Sequence, residues 1–184
     1  MKNLKLLLVA LLTVVFTPKA WADDETAIVD GIQYSGVSAH SSSVKALWVV
    51  SRLPGPRFDI PSNITVDGKS YKVTSISADF WNDGDSEYTQ DIKELHIPPT
   101  VADLETSSLM SFSGFNNMRT LVFDEGDSYL TKLPAGLFNG LRIETLVLPS
   151  SLKEIGSDCF YGCEYLNNIT INRNDQNTEP LLIG

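Results

Sequence analysis

The sequence predicts a mostly β solenoid, in which short strands from successive coils stack into a parallel sheet. One phrase recurs: an aromatic residue, a glycine two positions later and a strand of alternating apolar residues, at residues 112–123, 138–148 and 160–171. With a looser copy that precedes these, the centres of successive strands are 26, 25 and 23 residues apart. Self-similarity at a period of about 20 to 50 residues indicates a solenoid. Its extended surface favours holding a partner over enclosing a reaction.

The first 22 residues predict a secretory signal peptide. Lys2 and Lys5 give a basic start, residues 6–16 form an almost unbroken apolar run, and residues 20–22 (Ala-Trp-Ala) fit an A-x-A cleavage site. The apolar run is 11 residues long, whereas a membrane-spanning helix needs about 20. We therefore expect export, cleavage after Ala22 and no membrane insertion after cleavage. An uncleaved anchor is the alternative.

The charge balance argues against nucleic acid and anionic lipid as partners. The chain has 14 basic and 23 acidic residues, and its formal net charge is −9. Removal of the signal peptide takes away three lysines and no acidic residue, so the net charge becomes −12. Phosphate groups attract Lys and Arg, which are in the minority here. This composition favours solubility outside the cell and cationic partners or ions.

Residues 23–66 do not carry the repeat, and we expect them to form an N-terminal β-hairpin cap. Residues 27–34 resemble two short strands around an Asp-Gly turn, which is typical of hairpins. The stretch 44–50 is apolar and rich in valine, and residues 64–73 predict a second hairpin that again turns on Asp-Gly. The first coil of a solenoid exposes an apolar end, so a cap is expected at this position.

Residues 67–172 are predicted to form about four repeats, each of which ends in a short strand. Apolar residues alternate in these strands, so Leu95 is expected to point inward while Glu94 and His96 point outward. The same alternation places Ile169 in the core. The inward residues of stacked coils form a core that no single coil could bury alone.

At residues 155–163, the sequence Ile-Gly-Ser-Asp-Cys-Phe-Tyr-Gly-Cys closely resembles the I-G-x-x-A-F-x-G-C phrase of BspA-like leucine-rich repeats. Residues 66–76 also resemble the hairpin that precedes such repeats. The resemblance covers roughly residues 64–172, and Trp81 and Ser108 depart from the phrase. It implies an α/β-type leucine-rich repeat solenoid, mostly β, with one short parallel strand per coil and an irregular or short helical convex side.

The resemblance also carries an expectation about function. It implies a secreted or surface-displayed bacterial protein, with adhesion to host or extracellular-matrix proteins as the usual proposal. The family is functionally diverse, so this expectation concerns a class of proteins.

The outward side of the strands is the candidate contact surface. Val122 and Val147 are apolar residues on an otherwise polar side, and exposed apolar residues that align across coils mark interaction surfaces. Alternatively, cap or loop side chains cover these valines, or they are ordinary β-branched strand formers. The candidate ligand-binding residues are Glu94, Thr120, Thr145 and Asn168 in one stripe, and His96, Val122, Val147 and Thr170 in the other.

The main functional hypothesis is a secreted or cell-surface binding module for a protein ligand, either a host protein or an extracellular-matrix protein. A structural spacer within a longer surface protein is the alternative. A hydrolase using His96 is the second alternative, but no catalytic motif surrounds either of the two histidines. We therefore expect no enzyme activity and no catalytic residues.

The sequence predicts neither a cofactor nor a metal site. Cys159 and Cys163 lie within one repeat, where buried thiols that pack as small hydrophobic groups are favoured over a disulfide. A zinc site would need two more ligands, and neither histidine is nearby in sequence. The acidic loops at residues 82–87 and 124–128 have carboxylates around a glycine, which suits Ca²⁺. Solvated turn residues are the favoured interpretation of both loops.

Residues 173–184 are expected to form a loop and the start of an incomplete further repeat. Residues 182–184 (Leu-Ile-Gly) resemble the opening of the fourth repeat at Ile155 and Gly156. The last sheet edge would then be uncovered, which predicts either self-association or a chain that is part of a longer protein.

Overall fold

The computed structural model of the protein describes residues 25–81, 86–106, 113–171 and 180–184. Four predicted features lie wholly or partly outside them: the signal peptide, the aromatic residue of the second repeat, the earlier acidic loop and the loop after the fourth repeat.

In the described part of the chain, strands are the main regular structure, and the helices are each a single short turn. The helices are α1 (Ala78–Trp81), α2 (Ser86–Thr89) and a 3₁₀ helix (Ser113–Phe115). The strands are β1 (Glu25–Val29), β2 (Ile32–Val37), β3 (Ser43–Val49), β4 (Arg57–Asp59), β5 (Asn63–Val66), β6 (Lys69–Ile76), β7 (Glu94–Ile97), β8 (Asp103–Leu104), β9 (Thr120–Phe123), β10 (Lys132–Leu133), β11 (Thr145–Leu148), β12 (Glu154–Ile155), β13 (Asn168–Ile171) and β14 (Leu182–Ile183).

Both predicted Asp-Gly turns form hairpins. β1 pairs antiparallel with β2 around Asp30 and Gly31, and β5 pairs in the same way with β6 around Asp67 and Gly68. The four turn residues have φ angles between 49° and 84°. A two-residue loop with positive φ at both positions matches the twist of the flanking strands, and the glycine adopts this conformation without a Cβ penalty. The two hairpin predictions are confirmed.

These hairpins belong to one mixed sheet, with the order β1-β2-β3-β6-β5. β3 is parallel to β6, and β8, which opens the second repeat, also pairs parallel with β6. The buried residues Ile32, Tyr34 and Val73 of this sheet belong to the same core cluster as the repeats. The N-terminal sheet therefore continues directly into the coils. Its role as a cap stays a prediction.

The strands that end the repeats form a second sheet, here called the repeat sheet. Its order is β4-β7-β9-β11-β13, and every neighbouring pair is parallel. The last four strands are those that the repeat predicts. β4 lies within the segment predicted as the cap, so the sheet has five strands instead of four. Because β4 is only three residues long and lies between Pro56 and Pro61, the sequence shows no recognisable strand pattern there.

A second and narrower ladder joins the coils where the repeats open. It consists of β10, β12 and β14, which are parallel and two residues long. β12 pairs with β10 on one side and with β14 on the other, in the same register. Leu133, Ile155 and Ile183 therefore form one row. With these two ladders and little helix, the predicted mostly β solenoid is confirmed.

The inward residues of the repeat strands form a continuous core. Leu95 and Leu121 are completely buried, and burial of one such side chain stabilises the fold by about 1.5–3 kcal/mol. Aromatic rings continue the core from coil to coil. The ring centroid of Phe138 lies 6.4 Å from that of Trp81 and 5.8 Å from that of Phe160. Trp81 therefore occupies an aromatic position of the core although it departs from the family phrase.

The core is uncovered at the C-terminal coil, where one prediction is wrong. Ile169 is 49% exposed, although the equivalent Leu146 on the preceding strand is completely buried. An inward residue is buried only when a coil lies on each side of it, and the described residues leave one side of Ile169 open. Ile183 is also exposed, whereas Ile155 in the same row is buried.

The two cysteines are free thiols and differ in burial. Cys159 is buried as predicted, and burial raises the pKa of its thiol to about 11. Cys163 is only partly buried, and its Sγ donates a hydrogen bond to the Phe138 carbonyl at 2.9 Å. Because thiolates are the reactive form, a raised pKa keeps Cys159 an inert packing group.

Candidate functional site

The two predicted stripes lie side by side on the outward face of the repeat sheet. The observed register confirms their alignment: Glu94, Thr120, Thr145 and Asn168 are successive partners, as are His96, Val122, Val147 and Thr170. β4 extends both stripes, because Arg57 pairs with Glu94 and Asp59 pairs with His96. The role of these residues in binding stays a prediction.

The outward face divides into a charged half and an uncharged half. The strands β4 and β7 contribute Arg57, Asp59, Glu94 and His96, whereas β9, β11 and β13 contribute threonine, valine and asparagine. On the uncharged half, β13 is the most exposed strand. The two valine side chains are partly buried.

His96 departs most from its prediction, because the residue is only 6% exposed. It lies on the outward side as expected, but neighbouring side chains cover its ring. Its Nδ1 atom lies 2.6 Å from the Asp124 carboxylate, and its Nε2 atom lies 2.5 Å from the Glu94 carboxylate. Asp59 adds a third carboxylate, 3.7 Å from Nδ1. The prediction of an exposed strand histidine is therefore wrong.

These contacts determine the charge of the imidazole. A carboxylate accepts hydrogen bonds and donates none, so both ring nitrogens must carry protons and His96 is an imidazolium. Arg57 Nη2 lies 3.4 Å from Nδ1. Because Nδ1 already donates to Asp124 at the shorter distance, Arg57 acts on the ring as a nearby positive charge. Burial lowers the pKa of His96, but the hydrogen bonds to Glu94 and Asp124 raise it by more, so the pKa lies above its ordinary value.

Arg57 connects the remaining carboxylates of this cluster. Its guanidinium donates to Asp59 at 2.9 Å, and its Nη1 atom lies 3.5 Å from the Glu94 carboxylate. The five side chains thus come from β4, from β7 and from the position directly after β9. We call Arg57, Asp59, Glu94, His96 and Asp124 the His96 cluster.

The geometry does not favour acid–base catalysis by His96. Both ring nitrogens contact carboxylates, so neither is free to take a proton from a nucleophile. Asp124, which the sequence places in a candidate Ca²⁺ loop, is directed to the histidine. Among the described residues, no group of three or more His, Cys, Asp or Glu side chains could hold a metal ion.

An open pocket of about 520 Å³ borders the charged half of the face. Arg52, Pro54, Arg57 and Asp59 are among its lining residues. Arg52 is held in place by an ion pair with Asp91. Because Arg52 lies outside β4, the lining of this pocket extends the charged surface beyond the edge strand.

The sequence misses three residues of the His96 cluster. Arg57 and Asp59 lie on the unpredicted strand β4, and no motif marks them. Asp124 carries a usable signal, because it directly follows the predicted strand β9 and so lies beside the outward stripe that contains His96.

The parallel repeat sheet and the repeated phrase define a leucine-rich repeat protein. Residues 86–180 match the BspA type leucine rich repeat region in 6 copies, which is more than half of the chain. The chain belongs to the BspA-type leucine-rich repeat family. A search of curated protein sequences found no match.

Solved structures show the same fold at low sequence identity. The pneumococcal vaccine antigen PcpA is 22% identical with a TM-score of 0.63, over 86% of this chain and 40% of that protein. A leucine-rich repeat protein from Bacteroides capillosus is 16% identical with a TM-score of 0.60, over 80% and 98% of the two chains. A leucine-rich cell surface protein from Faecalibacterium prausnitzii is 13% identical with a TM-score of 0.52, over 80% and 42%.

The chain thus spans less than half the length of the pneumococcal antigen. Among the residues that the structure describes, no helix is both long and apolar enough to cross a bilayer.

Proposed function

We propose that the protein is an exported binding module that recognises a protein partner through the outward face of its repeat sheet. Leucine-rich repeat modules generally mediate protein–protein interaction, and repeat solenoids provide extended surfaces for it. The observation that carries the proposal is the alignment of outward positions on five parallel strands, from Arg57 to Thr170.

The division of this face indicates what a partner contributes. Over the uncharged half, Val122 and Val147 offer methyl groups flanked by threonine hydroxyls. Over the charged half, the His96 cluster carries three carboxylates against two cations, so its net charge is about −1 while His96 is protonated. A host or extracellular-matrix protein with an apolar segment next to a basic one matches both halves.

Export of the protein rests on the predicted signal peptide at residues 1–22. The description of the similar Faecalibacterium prausnitzii protein as a cell surface protein agrees with a surface or secreted location. At a secreted or surface location, adhesion is the form of protein binding that we propose. If the face binds no protein, a structural spacer is the alternative.

Paired lysine substitutions test the binding face. Purified fibronectin, laminin and collagen are screened by biolayer interferometry against residues 23–184 and against a Val122→Lys, Val147→Lys variant. We expect at least a tenfold loss of affinity for any bound protein, because two ammonium groups then lie in the middle of the uncharged half. Thr131→Lys with Ser157→Lys, two exposed positions outside the repeat sheet, is the matched control. Binding that survives the valine changes, or a panel that gives no binding at all, contradicts the proposal.

A second candidate property is self-association through the edge strand β13. The opposite edge strand β4 is short, charged and flanked by prolines, which are features that prevent strand addition. β13 contains no charged residue and no proline, and its Ile169 is exposed. Two copies are therefore expected to pair through their β13 ends.

Sedimentation velocity at increasing concentration tests this pairing. We expect a dimer that Ile169→Lys abolishes, whereas Tyr129→Lys, at another exposed apolar residue, leaves it intact. A monomer at all concentrations contradicts it.

A further inference from the structure

We propose that protonated His96 is a pH-dependent cross-link that fastens strand β4 and Asp124 to the repeat sheet and thereby fixes the charged half of its outward face. The imidazolium donates one hydrogen bond to Glu94 on its own strand and one to Asp124 after β9. Asp59 on β4 faces the same ring. Three segments that are distant in sequence therefore meet at one titratable group.

Within the described residues, the charged groups that face the ring are the members of the His96 cluster. β4 contributes Arg57 and Asp59, β7 contributes Glu94, and Asp124 follows β9. With the proton on His96, the cluster contains two cations and three anions. Without it, one cation remains, and the net charge of the cluster changes from about −1 to −2.

Loss of the proton breaks one of the two short contacts. A neutral imidazole has one N–H and one lone pair, so one carboxylate would face a lone pair at 2.5 or 2.6 Å. Two electron-rich atoms repel each other at this distance, and either the ring or the carboxylate must move. The cross-link is therefore present only while the ring is charged.

β4 joins this cross-link through Asp59, whose carboxylate lies 3.7 Å from the charged ring, and not through either short hydrogen bond. It is a three-residue strand at the sheet edge. Three backbone bonds flank its ladder: Ile60 N–H donates to the His96 carbonyl at 3.0 Å, and the Lys93 and Glu94 N–H groups donate to the Pro56 carbonyl at 2.7 and 3.0 Å. Short edge strands open most easily, so β4 is the first element expected to loosen when His96 loses its proton.

The direction of the pH effect follows from linkage. The pKa of His96 is raised in the folded protein, so the stabilisation is complete below the unfolded value of about 6.5 and is lost as the pH rises through the folded value. Below this window the charged half of the face is fixed, and above it β4 is released. A partner on that face would bind best at the lower pH, which rests on the proposed function. The cross-link itself requires no partner.

Nuclear magnetic resonance provides the test, because the chain has only two histidines and His40 is exposed. The imidazole signals are titrated in residues 23–184 and assigned with a His40→Gln variant. We expect the His96 midpoint to lie above the ordinary histidine value of about 6.5. Amide exchange at Ile60, corrected for base catalysis, is expected to rise by up to about tenfold per pH unit across the window.

Two variants separate the cross-link from a merely structural histidine. Asp124→Asn keeps the shape of the side chain but removes its charge, and it is expected to move the His96 midpoint down. His96→Gln is expected to remove the pH dependence of exchange at Ile60, which His40→Gln should retain. A His96 midpoint at or below about 6.5, or amide exchange at Ile60 that does not change across the titration, overturns the proposal. Since no partner is used, the result is independent of the binding experiment.

Discussion

Gly156 shows why a glycine follows the isoleucine in the repeated phrase. A Cβ built on Gly156 would lie 2.5 Å from the backbone nitrogen of Ala135 and 2.8 Å from its Cα. The two coils approach so closely because Gly156 N–H donates to the Leu133 carbonyl at 2.8 Å. The glycine is therefore required by the spacing of the coils.

A methyl group at this position should strain the solenoid. Gly156→Ala is expected to lower the free energy of unfolding by about 1–3 kcal/mol, since backbone atoms cannot yield to the new methyl as a flexible side chain can. Urea denaturation followed by circular dichroism measures the change. Ser157→Ala, at the exposed neighbour, is the control. Equal stability of the two variants would show that the contact between the coils is looser than described.

The repeat strands are alike in sequence but differ in what covers them. Leu146 on β11 and Ile169 on β13 are direct partners in the ladder and both point inward. Leu146 is completely buried, while Ile169 is 49% exposed. How much an inward residue stabilises the fold thus depends on whether a neighbouring coil covers it, as well as on its own position.

Alanine substitutions at these two partners measure the difference between the elements. Leu146→Ala is expected to cost about 2–5 kcal/mol, because it removes buried methyl groups and leaves a cavity. Ile169→Ala should cost much less, since much of its side chain is already in contact with water. The comparison is made at low protein concentration, so that any pairing through β13 does not contribute. Similar costs for both variants would mean that Ile169 is covered as fully as Leu146.

At the scale of the whole molecule, the architecture could be read from the sequence because it is periodic. The repeated phrase identified the last four strands of the repeat sheet, and the alternation aligned the outward stripes from Glu94 to Thr170. Both Asp-Gly hairpins could also be predicted from the sequence, since this dipeptide has a strong turn preference. These features depend on residues close together in the chain.

What the sequence did not show depends on residues that are brought together only by folding. β4 is too short for a pattern, so Arg57 and Asp59 were missed. The burial of His96 requires Asp59 and Asp124, which are 37 and 28 residues away in sequence. The exposure of Ile169 is decided by the absence of a covering coil among the described residues, which no property of the strand itself reveals.

Above all, the outward face of the repeat sheet is proposed to hold a protein partner. Methyl-labelled nuclear magnetic resonance, with titration of a matrix protein that binds in the interferometry screen, tests it most directly. We expect the signals of Val122 and Val147 to shift together with those of the neighbouring threonines. Ile28 in the N-terminal sheet and Ile183 at the C-terminal coil, both exposed, serve as internal controls. Shifts confined to Ile28 or Ile183, with the two valines unchanged, would contradict the claim.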